Sequence, residues 1–363
     1  HPRERRAAGL VAGVPVGSGV PVDPAERAAG LADAARAGDR RSLARLLTAV
    51  ENRTAVAEHA LRRLYPLAGG AHLVGITGPP GAGKSTLVAA LIAALREAGR
   101  TVAVVAVDPS SPITGGALLG DRVRMQAYAA DDGVFIRSMA SRGHAGGLAS
   151  TSTAAAAVLD AAGFDMVLLE TVGTGQSEVE VAAAADTTVV LEAPEMGDEV
   201  QAIKAGLLEV ADLVVVNKGD RPGAQRTAAQ LRAMLVPSVA RDGADPARPA
   251  PKRPDVLVTT ATTGEGIGEL LAALDRHRVA HGDGDGGRAA ARRVRAEAQL
   301  RAVLADRLWD RLRDPRRARA TAATIDAVAS HDLDPYAAAD RLLAALADTD
   351  DRERARDQEE DRT

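Results

Sequence analysis

The arrangement of apolar and polar residues separates a central segment, where buried strands alternate with helices, from flanking segments that are helical. From residue 72 to about 277, short β-rich apolar runs recur between helical stretches. The six runs lie at 72–77, 102–107, 166–170, 187–192, 213–217 and 256–260. Such short buried runs separated by helices are typical of parallel strands joined by helical crossovers. The pattern therefore predicts an α/β fold with a mostly parallel sheet and helices on both faces.

Helical periodicity marks both flanks of this segment. Before it, leucines and a valine over 43–50 follow the period of an amphipathic helix. After it, leucines recur every fourth residue over 300–312, among arginines and aspartates. A further helix is expected to begin at Asp334–Pro335, because an acidic N-cap followed by proline favours a helix start.

Composition and charge exclude several classes of function. The 363 residues are 46% hydrophobic and 26% charged, and a formal net charge of −4 gives no overall attraction to nucleic acid or anionic membranes. The absence of cysteine excludes disulfides, thiolate metal sites, iron–sulfur clusters and a cysteine nucleophile. No apolar run reaches the roughly 18 to 20 residues of a membrane span. We expect a cytoplasmic globular protein that binds neither nucleic acid nor membrane.

The segment after the first predicted strand matches a phosphate-binding loop. Gly78-Pro-Pro-Gly-Ala-Gly-Lys-Ser85 fits the pattern GxxxxGK[ST], with a strand before it and a helical stretch after it. Glycines let backbone N–H groups approach polyphosphate, and the following helix adds the positive end of its dipole. Lys84 is expected to reach the β- and γ-phosphates, and the Ser85 hydroxyl to bind Mg²⁺. The other loop residues expected to bind the nucleotide are Gly78, Pro79, Pro80, Gly81, Ala82, Gly83 and Thr86.

A second motif indicates which base is bound. Asn217-Lys-Gly-Asp220 ends a buried strand and matches the NKxD element. The Asp220 carboxylate can accept hydrogen bonds from N1–H and the exocyclic amine of guanine, a donor pair that adenine lacks. Lys218 is expected to pack over the base, and Asn217 to connect this loop to the phosphate loop. Thr260 and Ala261 end the last predicted strand, where a backbone N–H is expected to contact guanine O6.

Three acidic residues lie at positions suited to magnesium binding and nucleotide sensing. Asp108 ends the second strand, Asp121 follows it, and Glu170 ends the next predicted strand. A carboxylate at such a strand end can hold Mg²⁺ through water, and the N–H of Gly173 can sense the γ-phosphate. Thr174 occupies the position of the glutamine that orients water in Ras-like proteins, so we expect slow intrinsic hydrolysis. Asp108 or Asp121 could position the water instead, and a partner could accelerate the reaction.

These motifs closely resemble those of the MeaB/ArgK family, called MMAA in animals, whose members are GTPases that chaperone adenosylcobalamin-dependent methylmalonyl-CoA mutase. The resemblance covers roughly residues 25 to 347. Its most specific segments are TGPPGAGKST (77–86), VDPSSPITGGALLGDRVRM (107–125), ETVGTGQSEVEV (170–181) and GDEVQAIKAGLLEVADLVVVNKGD (197–220). The resemblance implies a P-loop NTPase fold and a Mg-dependent GTPase that controls cofactor loading, protection and reactivation of the mutase.

The same resemblance implies roles for individual residues. Asp108, Asp121 and Glu170 match the family's magnesium-site and catalytic acids, and Lys204 matches a switch lysine that links nucleotide state to the mutase. Considered without the resemblance, Lys204 fits the solvated face of a helix over 198–210 better. Glu195 departs from the family pattern, because a glycine is expected there in many members and glutamate adopts fewer backbone angles.

The motifs and flanks together predict six parts of the chain. These are a disordered segment at 1–22, an N-terminal helical extension at 23–69, a P-loop GTPase domain at 70–280, a linker at 281–287, a C-terminal helical dimerisation region at 288–347 and a charged tail at 348–363. Dimerisation is implied by the resemblance, and the leucine stripe favours a homodimer face over a nucleic-acid surface. We interpret the arginine-rich start as disordered rather than as an organellar transit peptide.

Other functions stay open at this point. A metal-insertion GTPase would usually carry a histidine-rich or cysteine-containing motif, whereas seven scattered histidines are present. A P-loop kinase or ATPase linked to amino-acid transport would require adenine binding, which the NKGD element opposes. A nucleotide-gated scaffold would bind GTP without turnover. Cobalamin is expected on the partner, because Asp275-Arg-His277 begins a DxHxxG motif but Ala280 stands where its glycine is needed, which makes His277 an ordinary helix-end residue.

Overall fold

The computed structural model describes residues 23–109, 128, 130–141, 147–171, 185–194, 207–208, 210–235, 254–280 and 287–360. Its strands are β1 His72–Thr77, β2 Val102–Pro109, β3 Val134–Ser141, β4 Met166–Thr171, β5 Thr187–Glu192, β6 Leu213–Val216 and β7 Asp255–Val258. All pair in parallel in one sheet of order β3-β2-β4-β1-β5-β6-β7. The predicted α/β fold is therefore confirmed.

Ten helices are described in these ranges, together with a short 3-10 helix at Tyr65–Leu67. They are α1 Pro24–Arg36, α2 Arg40–Glu51, α3 Ala55–Leu64, α4 Lys84–Glu97, α5 Gly147–Ala161, α6 Ala224–Leu235, α7 Ile267–Ala280, α8 Gly287–Arg313, α9 Pro315–Ala329 and α10 Pro335–Glu360. Strand β3 and helix α9 are absent from the sequence prediction. Helix α10 begins where predicted and continues through residues 348–360 of the expected tail.

Helices cover both faces of the sheet, as predicted. On one face α4 and α7 bury their apolar sides, with Leu91 and Leu274 fully enclosed. On the other face α1, α2, α3 and α5 pack over β2, β3 and β4, while α6 packs over β5, β6 and β7. Each buried leucine or isoleucine contributes about 1.5–3 kcal/mol. The interior strands are mainly apolar because both of their faces are enclosed in this way.

Arginines satisfy backbone carbonyls at both edge strands. At one edge, the Arg40 guanidinium donates to the Val134 carbonyl at 2.7 Å and lies 5.6 Å from the Phe135 ring centre. At the other edge, Arg232 of α6 donates to the Val256 carbonyl at 2.7 Å. These contacts fix helices α2 and α6 to the sheet and occupy carbonyls that an added strand would need.

Aspartates occupy the amino edge of the sheet. Three aspartates each precede a strand, and each accepts a hydrogen bond from a backbone N–H at or just before the start of the neighbouring strand. The distances are 2.7 Å for Asp165, 2.9 Å for Asp186 and 2.8 Å for Asp212. The bond from the Thr101 backbone lowers the pKa of Asp165. Aspartate side chains thus bind backbone N–H groups at the amino ends of the strands. In open parallel sheets ligands usually bind at the carboxyl ends.

Candidate functional site

The predicted phosphate loop joins β1 to α4 at the carboxyl edge. Gly78, Gly81 and Gly83 have positive φ values of 141°, 79° and 96°. A Cβ at Gly78 would overlap the Leu191 carbonyl of β5, and one at Gly83 would lie 2.5 Å from the Asn217 side-chain nitrogen. Only glycine meets both the backbone angles and the close approach at positions 78 and 83.

Lys84 and Ser85 begin α4 and are buried. The Lys84 ammonium donates to the carbonyls of Gly78 and Pro79, at 2.7 and 3.1 Å. The Ser85 hydroxyl donates to a carboxylate oxygen of Glu170, at 2.6 Å. The structure thus brings together the loop lysine, the Ser85 hydroxyl and the carboxylate at the end of β4. Ser85 and Glu170 are 85 residues apart in the sequence.

The Asn217 side chain connects the phosphate loop to the loops that follow β6 and β7. It is buried, and its amide nitrogen donates to the Ala82 carbonyl at 2.9 Å. Its amide oxygen accepts from the Thr259 hydroxyl at 3.2 Å and from the Ala261 N–H at 3.1 Å. One side chain therefore holds three segments in a fixed arrangement.

The rest of the NKGD segment forms a tight turn against the end of β7. Lys218 has a positive φ of 59°, and the Gly219 N–H donates to the Thr259 carbonyl at 2.9 Å. A Cβ at Gly219 would lie 2.9 Å from Val258, so the turn has no room for a larger residue there. Asp220 is exposed at the end of the turn. A carboxylate in that position is available to a purine edge.

The segment after β7 is stabilised by its own contacts. Thr260 is buried, and its backbone pairs with Glu265 in a single antiparallel bridge. Gly266 has a φ of 76°, and a Cβ there would overlap the Val258 carbonyl. Of the Thr260–Ala261 segment, where a backbone N–H is expected at guanine O6, the Ala261 N–H donates to the Asn217 side chain in this structure.

Of the other predicted acidic and switch residues, the structure describes only the backbone of Asp108. Asp108 is the seventh residue of β2, where its backbone is in register with Ala140 of β3. Asp121, Gly173 and Lys204 lie outside the described residues, as do Thr174 and Glu195. Their roles therefore stay predictions.

The structure adds Glu192, which the sequence interpretation passed over. It is a buried acidic residue at the end of β5, and its carbonyl accepts the Asn217 N–H at 2.8 Å. The sequence offered one signal for this residue, an acidic side chain at the end of a predicted strand that is otherwise without charge. In the described ranges, no group of three histidine or acidic side chains is arranged to hold a metal ion. Nor does any helix described there have the length and apolar character required to cross a membrane.

Comparisons with known proteins identify related sequences and a related structure. A family model described as "Methylmalonyl Co-A mutase-associated GTPase MeaB" matches residues 43–317. A Pyrococcus abyssi protein is 45% identical over 309 residues, which are 85% of this chain and 94% of that relative. The mouse mitochondrial methylmalonic aciduria type A homolog is 38% identical over 250 residues, covering 64% of this chain and 59% of that relative.

Among solved structures, the crystal structure of an LAO/AO transport system kinase is similar, with a TM-score of 0.61 and 28% identity. The match covers 89% of this chain and 98% of that one. The family model spans the phosphate loop, the Glu170 strand end and the NKGD turn described above. The chain therefore belongs to the MeaB family and is a P-loop GTPase that binds guanine nucleotide.

Proposed function

We propose that this GTPase chaperones an adenosylcobalamin-dependent acyl-CoA mutase of the methylmalonyl-CoA mutase type. GTP binding and hydrolysis would be coupled to cofactor loading, protection and reactivation of the mutase. The observation that carries the proposal is the match to a family described as mutase-associated, over residues 43–317. A cytoplasmic location belongs to the same proposal.

The phosphate loop supplies the binding part of the mechanism. Backbone N–H groups over 78–85 and the start of α4 attract polyphosphate. Lys84 has to exchange the two loop carbonyls it now contacts for phosphate oxygens, which are charged and bind it more strongly. The Asn217 side chain holds this loop at a fixed position relative to the NKGD turn, where Asp220 selects guanine.

The residues beside Lys84 fit a magnesium ion. Ser85 and Glu170 place a hydroxyl and a carboxylate oxygen 2.6 Å apart, and oxygen donors of these two kinds are those that Mg²⁺ prefers. Asp108 and Asp121 would complete the set. When bound, Mg²⁺ neutralises charge on the β- and γ-phosphates. Glu170 also orients the Ser85 hydroxyl, which donates to its carboxylate.

A kinase role in amino-acid transport is the second candidate, because a similar solved structure is described as an LAO/AO transport system kinase. That role would require ATP as the phosphate donor. The exposed Asp220 carboxylate has no donor pair to accept from on adenine, so it opposes that choice. Competition of ATP against bound GTP distinguishes the two candidates.

The chaperone proposal is tested by GTP hydrolysis with and without purified methylmalonyl-, ethylmalonyl- and isobutyryl-CoA mutases, together with pull-down. We expect one mutase to be captured and to accelerate hydrolysis. Lys84→Ala, which removes the loop ammonium, is the control for turnover by this site. If none of the three mutases is captured and none changes the rate, the proposed client class is wrong.

A homodimer is part of the proposal, and α8 supplies the surface for it. Leu300, Leu304 and Trp309 are 59%, 50% and 50% exposed, whereas Leu312 of the same stripe is buried. Exposed apolar side chains in a row are typical of an interface. Replacing Leu304 and Leu308 by Asp should halve the mass in light scattering, and Met234→Asp on the exposed side of α6 should leave it unchanged. An unchanged mass in the double variant would exclude this face.

A further inference from the structure

The glycine of the NKGD turn stands at a position where space, rather than backbone conformation, requires it. Lys218 occupies the left-handed position of the turn, with a φ of 59°, whereas the φ of Gly219 lies outside the left-handed region. Residues other than glycine rarely adopt a left-handed φ, and they adopt the other values readily. Backbone preference alone would therefore favour glycine at 218 and leave 219 free to vary, which is the reverse of the sequence.

The end of β7 leaves no room for a side chain at position 219. A Cβ there would lie 2.9 Å from Val258 Cγ1, 3.1 Å from Thr260 Oγ1 and 3.3 Å from the Thr259 carbonyl oxygen. An ordinary contact between carbon atoms is about 3.5–4.0 Å. Valine is branched at Cβ and stiff at χ1, and the Thr259 oxygen belongs to the main chain, so neither is the free end of a flexible side chain. An added methyl group is therefore accommodated by movement of the turn.

The turn is more easily displaced than the strand end against which it packs. The Gly219 N–H donates to the Thr259 carbonyl at 2.9 Å, and this bond holds the turn at its present depth. The Thr259 N–H donates to the Val216 carbonyl at 2.9 Å and so continues the pairing of β6 with β7. On the far side, the Thr260 N–H donates to the Glu265 carbonyl at 2.9 Å. The end of β7 is thus fixed on both sides.

We propose that Gly219 and Val258 form a specificity-determining contact, in which the missing side chain at 219 lets the turn approach β7 to the depth at which guanine is recognised. The proposal rests on the proposed selection of guanine by Asp220. Lys218 and Asp220 flank Gly219 in the chain, so a displacement of Gly219 moves both residues that are expected to face the base. Gly219 and Val258 touch no part of the nucleotide themselves and are positioning residues.

The phosphate loop is held by contacts that do not pass through Gly219. Asn217 precedes the turn, and its N–H donates to the Glu192 carbonyl at the end of β5, at 2.8 Å. Its side-chain nitrogen donates to the Ala82 carbonyl at 2.9 Å. A shift of the turn at 219 therefore leaves these two bonds and the grip on phosphate in place. The expected signature is a loss of base discrimination while binding of the diphosphate is kept.

Fluorescence titration of the full chain with ribose-labelled GDP, IDP and ADP, each with Mg²⁺, tests this signature. Hypoxanthine keeps the N1–H of guanine but lacks its exocyclic amine, and adenine lacks both donors. The wild type should bind GDP most tightly, then IDP, then ADP. Hydrogen bonds to a charged group change affinity by roughly 10-fold or more. In Gly219→Ala the affinity for GDP should fall by about 10-fold or more, and the affinity for ADP should be unchanged.

Two further variants separate this contact from a general loss of structure. Gly268→Ala adds the same methyl group in open space on α7 and should keep the preference for GDP. Val258→Ala removes the methyl group that blocks position 219, so Gly219→Ala should cost less GDP affinity in that background than in the wild type. Val258→Ile crowds the same contact from β7 and should lower the preference for GDP, which keeps the test decisive if Gly219→Ala does not fold.

The possible results distinguish this contact from the assignment of the base. The proposal is overturned if Gly219→Ala keeps the wild-type preference for GDP, weakens all three nucleotides equally, or has the same effect in both backgrounds. Absence of any preference in the wild type would instead contradict selection of guanine by Asp220, and the contact would lose its role with it.

Discussion

The Asn217 side chain connects the predicted phosphate loop to the segment predicted to recognise the base, and Asn217→Ala removes this connection without changing Lys84 or Asp220. The substitution leaves three buried groups behind, the Ala82 carbonyl, the Thr259 hydroxyl and the Ala261 N–H. Each hydrogen bond contributes about 1 kcal/mol net, and a buried group left without a partner costs about 1–3 kcal/mol. Taking the lower value for all three bonds, the free energy of unfolding should fall by about 3 kcal/mol. The folding equilibrium should change on the order of 100-fold.

Urea unfolding followed by circular dichroism, at one protein concentration and without nucleotide, measures this loss. The slope against urea should be unchanged, because the surface exposed on unfolding is the same. The chain offers a matched control in Asn52, its only other asparagine, which is exposed at the end of α2. Asn52→Ala should change stability by less than about 0.5 kcal/mol. Equal stability of the two variants would refute the assigned role of Asn217.

Three further predictions concern single positions. Gly78→Ala should abolish binding of a fluorescent GTP analogue, because its Cβ would overlap a main-chain carbonyl of β5, whereas Gly268→Ala on the open side of α7 should leave binding intact. As the pH falls from 6.5 to 4, the free energy of unfolding of the wild type, measured with urea, should fall by roughly 3 kcal/mol, because burial lowers the pKa of His72 to about 4, so that it stays neutral when folded but takes up a proton when unfolded. His72→Gln should remove most of this pH dependence. Asp160→Ala should lower the free energy of unfolding by about 2 kcal/mol in thermal denaturation, because its carboxylate accepts three backbone N–H groups between the helical extension and β1; an unchanged melting temperature would contradict this.

Much of the fold follows from local patterns in the sequence. Most of the six predicted strands are recovered because they are buried on both faces and therefore mainly apolar, and the edge strand β7 is recovered from its short apolar run after Asp255. Strand β3 was missed because it is an edge strand that carries Arg137, whose guanidinium pairs with Glu51 of α2 at 2.7 Å. Helix α9 was missed although Asp314–Pro315 repeats the acid–proline signal that located α10, and the Asp314 carboxylate does cap the helix.

The candidate site likewise contains features that the sequence could locate and contacts that it could not. The phosphate loop and the NKGD turn could be located because their spacing is fixed by backbone geometry, which demands glycine at particular positions. The contact between Ser85 and Glu170 could not be located to an atom, because it depends on the register of β4 beside β1. Away from the site, the Thr187 hydroxyl lies 2.8 Å from a ring nitrogen of both His72 and His277, 115 and 90 residues away in the sequence, only because the fold places β1 and α7 beside β5. No local pattern contains that information, and His277 was expected to be an ordinary helix-end residue.

Purine selection by Asp220 tests the central claim most directly, since the assignment of substrate depends on it. Calorimetric titration with non-hydrolysable GTP and ATP analogues, each with Mg²⁺, should be carried out on the wild type and on Asp220→Asn. The wild type should bind the GTP analogue at least about 100-fold more tightly than the ATP analogue, and Asp220→Asn should lose that preference. Absence of heat with the GTP analogue, or a preference for guanine that survives Asp220→Asn, would contradict the account.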